Sequence, residues 1–125
     1  MKRISLNSTL LIILFATLSS CNNSKREADK KHYEAISDYN SSIKLYPNDA
    51  VVYYDRGVAY YNLENYAEAI RDYSTAIKLD SDFASAYHNR GIAKEYIGLH
   101  YCEDFKKACK LGDDDSCEWY DEECI

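Results

Sequence analysis

Beyond residue 30 the apolar side chains return at helical spacing. Tyr66, Ala69, Ile70, Tyr73, Ala76 and Ile77 recur at i, i+3, i+4 and i+7, which gathers them on one stripe of a helix. His32, Ala35, Ile36, Tyr39 and Ile43 form a second stripe of the same kind. The pattern predicts helices over about 27–45, 50–63, 66–79, 84–97, 101–111 and 114–124. One proline and four glycines are too few for an all-β sandwich and suit helices joined by short turns. An all-α chain is expected.

The first 20 residues follow a different pattern. Lys2 and Arg3 give a basic start, and Leu10 to Leu18 form an apolar run too short to span a bilayer but of the length of a signal peptide's central region. Leu18-Ser19-Ser20-Cys21 comes next and resembles the bacterial lipobox, in which small residues precede a cysteine that is diacylated and becomes the mature N-terminus. The resemblance implies a signal peptide over 1–20, lipidation of Cys21, and a membrane anchor through the N-terminal lipid. Asn22 in place of the aspartate that retains such proteins implies the outer membrane. The competing reading is a secreted or uncleaved leader that happens to end near a cysteine. Residues 21–30 are polar and read as a tether.

The remainder repeats itself. Ile36-Ser-Asp-Tyr-Asn-Ser-Ser-Ile-Lys-Leu45 aligns with Ile70-Arg-Asp-Tyr-Ser-Thr-Ala-Ile-Lys-Leu79, and Tyr53-Tyr-Asp-Arg-Gly-Val-Ala59 with Tyr87-His-Asn-Arg-Gly-Ile-Ala93, both at a spacing of 34. The period and the residues resemble the tetratricopeptide repeat: Tyr53, Gly57, Tyr60, Tyr66, Ala69, Tyr73 and Ala76 match its pattern, with Gly57 and Ala69 small where two helices cross. Ser81 stands where that family usually has proline. The resemblance implies a short α-solenoid over 31–125, made of a half repeat (31–49), a full repeat (50–83), a shortened repeat (84–112) and a capping helix (113–125). Glu103 to Leu111 matches Arg71 to Leu79 at a spacing of 32, two residues short of the period.

Composition narrows the partner. The formal charge is −6, and −8 without Lys2 and Arg3, so an acidic domain with no basic patch argues against nucleic acid. Thirteen tyrosines suit a thin fold whose rings pack while their hydroxyls stay near water.

Four cysteines follow Cys21. In Cys102-x-x-Phe105-x-x-x-Cys109 and Cys117-x-x-Tyr120-x-x-x-Cys124 both cysteines and the aromatic share one helical face. Pairing Cys102 with Cys109 would bridge two turns of one helix, roughly 10 Å, which disulfide geometry forbids. Gly112 and Asp113 read as a helix stop and start. In an antiparallel hairpin turning at residue 113, Cys109 opposes Cys117 and Cys102 opposes Cys124. Ala108 to Cys117 also resembles Sel1-like cysteine-rich repeats, with Ser116 where glycine is usual. A four-thiolate zinc site is the competing reading, though zinc motifs bring two ligands within a few residues of each other.

The sequence carries no serine elbow, phosphate loop or histidine pair at metal spacing, and no enzyme, metal or cofactor is expected. Asp113, Asp114 and Asp115 are read as charge at a helix start. By resemblance, the concave face of first helices carries Tyr54, Asp55, Val58, Tyr61, Asn62, His88, Asn89, Ile92 and Glu95 as candidate peptide contacts. In the tetratricopeptide family an asparagine at the place of Asn89 commonly bonds a peptide main chain, and basic residues clamp a terminal carboxylate. Here Tyr54 and His88 stand at those basic positions, so an extended neutral or basic peptide is implied. Alternatively Tyr54 and Tyr61 pack against the helix at 27–45 and fill the groove. The expected function is a lipid-anchored adaptor binding a protein or peptide. The alternatives are an assembly component that uses its end or convex surfaces, and a surface antigen without a defined ligand.

Overall fold

The computed structural model describes residues 8–125; Lys2 and Arg3, the basic start of the expected leader, lie outside them. The described residues form six helices in order: α1 (Ser8–Leu45), α2 (Ala50–Asn62), α3 (Tyr66–Leu79), α4 (Ala84–Tyr96), α5 (Cys102–Lys110) and α6 (Asp114–Glu123). The chain divides into a unit ending at Lys31 and a unit from His32 to Ile125. In the first, the apolar run Leu10–Leu18 is helical and exposed. The segment expected as a polar tether is also helical. Lys25, Arg26, Glu27, Ala28, Lys30 and Lys31 are good helix formers, and neither glycine nor proline interrupts residues 8–45. Among the described residues no helix is long and apolar enough to cross a membrane.

In the second unit the helix ends are written locally. Pro47 disfavours helix at Tyr46 and closes α1. Asp49 caps α2 by accepting from the Val51 N–H at 3.0 Å, and Asp113 caps α6 by accepting from the Ser116 N–H at 2.8 Å. Three helices end in one shape. Gly98 (φ 70°) and Gly112 (φ 93°) take the left-handed position after α4 and α5. The Leu99 N–H then reaches the Lys94 carbonyl at 2.8 Å, and the Asp113 N–H reaches that of Ala108 at 3.1 Å. After α2 the same position is held by Glu64 at φ 59°, with the Asn65 N–H on the Tyr60 carbonyl at 2.9 Å.

Where paired helices cross, a glycine meets a ring. A Cβ on Gly57 would stand 2.8 Å from Tyr73, and one on Gly91 would stand 3.0 Å from Phe105. Ala59, Ala69, Ala76, Ala86, Ala93 and Ala108 are buried around these crossings. Beside each glycine an arginine grips an aspartate on the partner helix. Arg56 donates from Nε and Nη2 to Asp72 at 2.7 Å each, and Arg90 donates in the same way to Asp104 at 3.0 and 2.6 Å. The third arginine nitrogen, Nη1, reaches back one helix, to Asn40 from Arg56 and to Ser74 from Arg90. Both aspartates are only 3% exposed, while Asp38, their counterpart in the half repeat, is exposed.

The two-residue deletion does not disturb these pairings. It falls between α4 and α5, where α5 begins at Cys102, the counterpart of Ile70, one turn later than α3 begins. From there onward the Gly91–Phe105 and Arg90–Asp104 contacts repeat Gly57–Tyr73 and Arg56–Asp72. Disulfides Cys102–Cys124 (Cα–Cα 5.7 Å) and Cys109–Cys117 (4.6 Å) join α5 to α6, the ladder that the hairpin predicts.

Candidate functional site

Helices α2 and α4 are consecutive first helices of the repeat, and a cleft of about 240 Å³ lies on them. Val58, Tyr61, Asn62, Asn89 and Ile92 line it, joined by Tyr73 from α3. Five of the nine candidate contacts therefore converge on one depression. Tyr54 stands behind it: the Asn89 Nδ2 donates to its hydroxyl at 2.9 Å, and its ring packs on Tyr73 and Phe83 at centroid distances of 5.8 and 4.8 Å. The rings of Tyr54 and Tyr61 thus pack toward α3 and α4. Burial raises the phenol of Tyr54, and it raises that of Tyr73 further, so both stay protonated hydrogen-bonding groups throughout the neutral range.

Tyr61 belongs to an aromatic group. Its ring meets Tyr66 and Tyr96 edge-on at 5.4 and 5.9 Å, while Tyr66 and Tyr96 stack face to face at 4.8 Å. Burial, followed by the neighbouring Tyr96 and the Tyr66 and Glu95 charges, pushes the Tyr61 phenol up to about 12. Glu95 lines a second cleft of about 470 Å³ with Ile92, Tyr96 and Trp119. Ile92 borders both clefts.

Two candidate contacts lie elsewhere. Asp55 lines neither cleft; burial and the Asp49 charge raise its carboxyl above the ordinary range. His88 turns toward the hairpin. Its Nδ1 lies 2.7 Å from the Ser116 hydroxyl and 3.2 Å from the Asp113 carboxylate, and its ring meets Phe105 edge-on at 5.7 Å. Serine, histidine and aspartate are the side chains of a hydrolytic triad, but here both partners meet the same ring nitrogen and Ser116 is wholly enclosed. A triad needs the serine on one nitrogen and the carboxylate on the other. The three residues form a clasp between α4 and α6. Burial works to raise the Asp113 carboxyl, but the Ser116 hydroxyl and amide and the nearby His88 outweigh it and hold the carboxyl low. The Ser116 hydroxyl gives His88 an anchor.

Sequence reasoning did not single out Trp119, Tyr96, or the Arg56–Asp72 and Arg90–Asp104 pairs. The arginines and aspartates carried a readable signal, since both recur in the repeat register beside the crossing glycine and aromatic. Trp119 recurs nowhere. Cys21, the expected lipidation site, is an exposed free cysteine on α1. Among the described residues no group of three or more histidine, cysteine or acidic side chains could hold a metal ion.

Residues 50–83 match the tetratricopeptide repeat family. The chain is similar in structure to the first TPR of Spaghetti (RPAP3) bound to an HSP90 peptide, SRMEEVD, at 23% identity and a TM-score of 0.68, covering 78% of this chain and 87% of that one. It is also similar to the second TPR domain of human RPAP3 in complex with an HSP70 peptide, SGPTIEEVD, at 24% identity and a TM-score of 0.68, covering 81% and 89%. The TPR domain of Arabidopsis OM64 is similar at 25% identity and a TM-score of 0.69, covering 80% and 84%. No curated protein sequence gives a significant match. The fold is therefore an all-α, tetratricopeptide-type solenoid that ends in a disulfide-stapled hairpin.

Proposed function

We propose that this protein is an interaction module of the bacterial envelope, anchored by a lipid on Cys21, that holds an extended peptide segment of a partner in the α2–α4 cleft. The observation that carries this reading is the convergence of Val58, Tyr61, Asn62, Asn89 and Ile92 on one open depression. A carboxamide has two N–H donors and an acceptor oxygen, so the Tyr54 and Tyr73 contacts leave the Asn89 oxygen to accept from a ligand main-chain N–H. Peptides occupy the RPAP3 domains of this fold. Those peptides are acidic, whereas this chain carries −6 and has Tyr54 and His88 at the places of the carboxylate-binding cations, which favours a neutral or basic segment.

Pull-down from solubilised envelope tests the reading. With Asn62→Ala and Asn89→Ala together, the partner recovered by the unaltered protein is expected to be lost. Unchanged recovery would discard the cleft in favour of docking through the ends of the solenoid. The exposed Cys21 beside Ser19 and Ser20 supports the anchor. Metabolic palmitate labelling that Cys21→Ser abolishes is the expected result, and an unlabelled wild-type chain would refute lipidation.

A further inference from the structure

The second cleft, between α4 and α6, has walls of a particular chemistry. Tyr96 and Trp119 supply rings, Ile92 an apolar floor and Glu95 a carboxylate, and among the described residues no basic one lines it. Each ring is backed from within the fold: Tyr96 stacks on Tyr66 at 4.8 Å with an interplanar angle of 11°, and Trp119 lies on Phe105 at 5.3 Å. Both remain open to solvent, Tyr96 at 62% and Trp119 at 36%. Helix α6 adds Asp114, Asp115, Glu118, Asp121, Glu122 and Glu123 and carries no basic side chain. Tethering α6 through Cys102–Cys124 and Cys109–Cys117 holds the Trp119 wall in place.

We infer that the α4–α6 cleft takes the cationic side chain, arginine or lysine, of a basic peptide, held between Tyr96 and Trp119 with its charge answered by Glu95. Ring faces attract a cation, guanidinium above all because it stacks, and a carboxylate at the same place adds the charge pair. A purely apolar occupant would leave Glu95 desolvated and unanswered, and an anion would meet it and the acids of α6 head-on. Because Ile92 borders both clefts, a segment bound beside Asn89 can place a basic residue here. In that continuity the inference rests on the proposed peptide-binding role, while the cation pocket is testable by itself.

Trp119 is the only tryptophan of the chain, so its emission reports directly on this cleft. The full chain in a neutral, choline-free detergent is titrated with acetyl-Gly-Arg-Gly-amide and with the same peptide carrying citrulline for arginine. A saturable change is expected with arginine, at least fivefold weaker with citrulline and at least fivefold weaker in Glu95→Gln. Arg71→Ala, on the exposed face of α3 and outside both clefts, is expected to respond to the tripeptide like the wild type. Equal responses to arginine and citrulline, or an undiminished response in Glu95→Gln, would overturn the inference. So would loss of the response in Arg71→Ala, or a response to tetramethylammonium as strong as to arginine, which would indicate a lipid headgroup. Failure of the pull-down with the arginine response intact would remove the groove reading alone.

Discussion

Arg56 holds Asp72 by two hydrogen bonds of 2.7 Å, and its remaining nitrogen reaches Asn40 at the same distance. One side chain thereby joins three successive helices of the solenoid. Removing it would strand a carboxylate that is only 3% exposed. Breaking a buried pair costs about 3–5 kcal/mol, and Arg56→Ala is expected near the lower end because the Arg56 side chain keeps 20% exposure. Arg90→Ala is expected to cost less, since Lys94 also lies 2.7 Å from Asp104. Urea unfolding of the two variants under oxidising conditions gives the order.

Gly57→Ala and Glu64→Gly should move stability in opposite directions, the first against the usual helix preference of alanine over glycine. At Gly57 a Cβ would press on the Tyr73 ring at 2.8 Å, and overpacking of this kind costs about 1–3 kcal/mol, more than the helix propensity it gains. At Glu64 the backbone is left-handed, and its counterpart one repeat later is Gly98, so Glu64→Gly relieves strain worth about 1 kcal/mol. Thermal midpoints falling for the first and rising for the second are the expected results.

Much of this was legible in the sequence. The 34-residue recurrence and the stripe of Tyr66, Ala69, Tyr73 and Ala76 placed α2 to α6 within a residue or so of their observed ends, because capping residues such as Asp49 and Asp113 mark them. The cysteine ladder followed from equal distances to one turn. What could not be read were contacts that break the repeat. His88 aligns with Tyr54 at a groove position, yet it turns to Ser116 and Asp113 because the terminal hairpin packs where a further repeat would stand. The Tyr96–Trp119 cleft exists only through that packing, which no periodicity encodes. The start of α1 was missed because polarity at 21–30 suggested a tether, while the same residues have strong helix propensity.

Reduction should loosen the hairpin before the repeats. By loop closure the outer bridge, spanning 22 residues, contributes about 3 kcal/mol and the inner one, spanning 8, about 2.5. Cys102→Ser with Cys124→Ser is therefore expected to destabilise more than Cys109→Ser with Cys117→Ser. Under reductant the Trp119 emission should shift toward that of exposed indole while most of the helical circular dichroism remains.

Asp55 gives a pH signature. Its folded carboxyl is raised by burial and then by Asp49, so its contribution is fully present below the unfolded value of 3.8 and is lost as pH rises through the folded one. Its charge is a cost at neutrality. Asp55→Asn is expected to raise the thermal midpoint at pH 7 and to bring no gain below pH 3.8.

What touches the cleft of α2 and α4 in the living cell is the most direct test of peptide binding. A photoreactive amino acid replacing Ile92, where the two clefts meet, should crosslink in the native host to a polypeptide segment containing a basic residue, and Asn89→Ala should diminish that crosslink. A photoreactive group at the exposed Arg71 on α3 should not yield it. Crosslinks of equal strength from both positions, or a crosslink from Ile92 that Asn89→Ala leaves unchanged, would contradict a peptide-binding cleft.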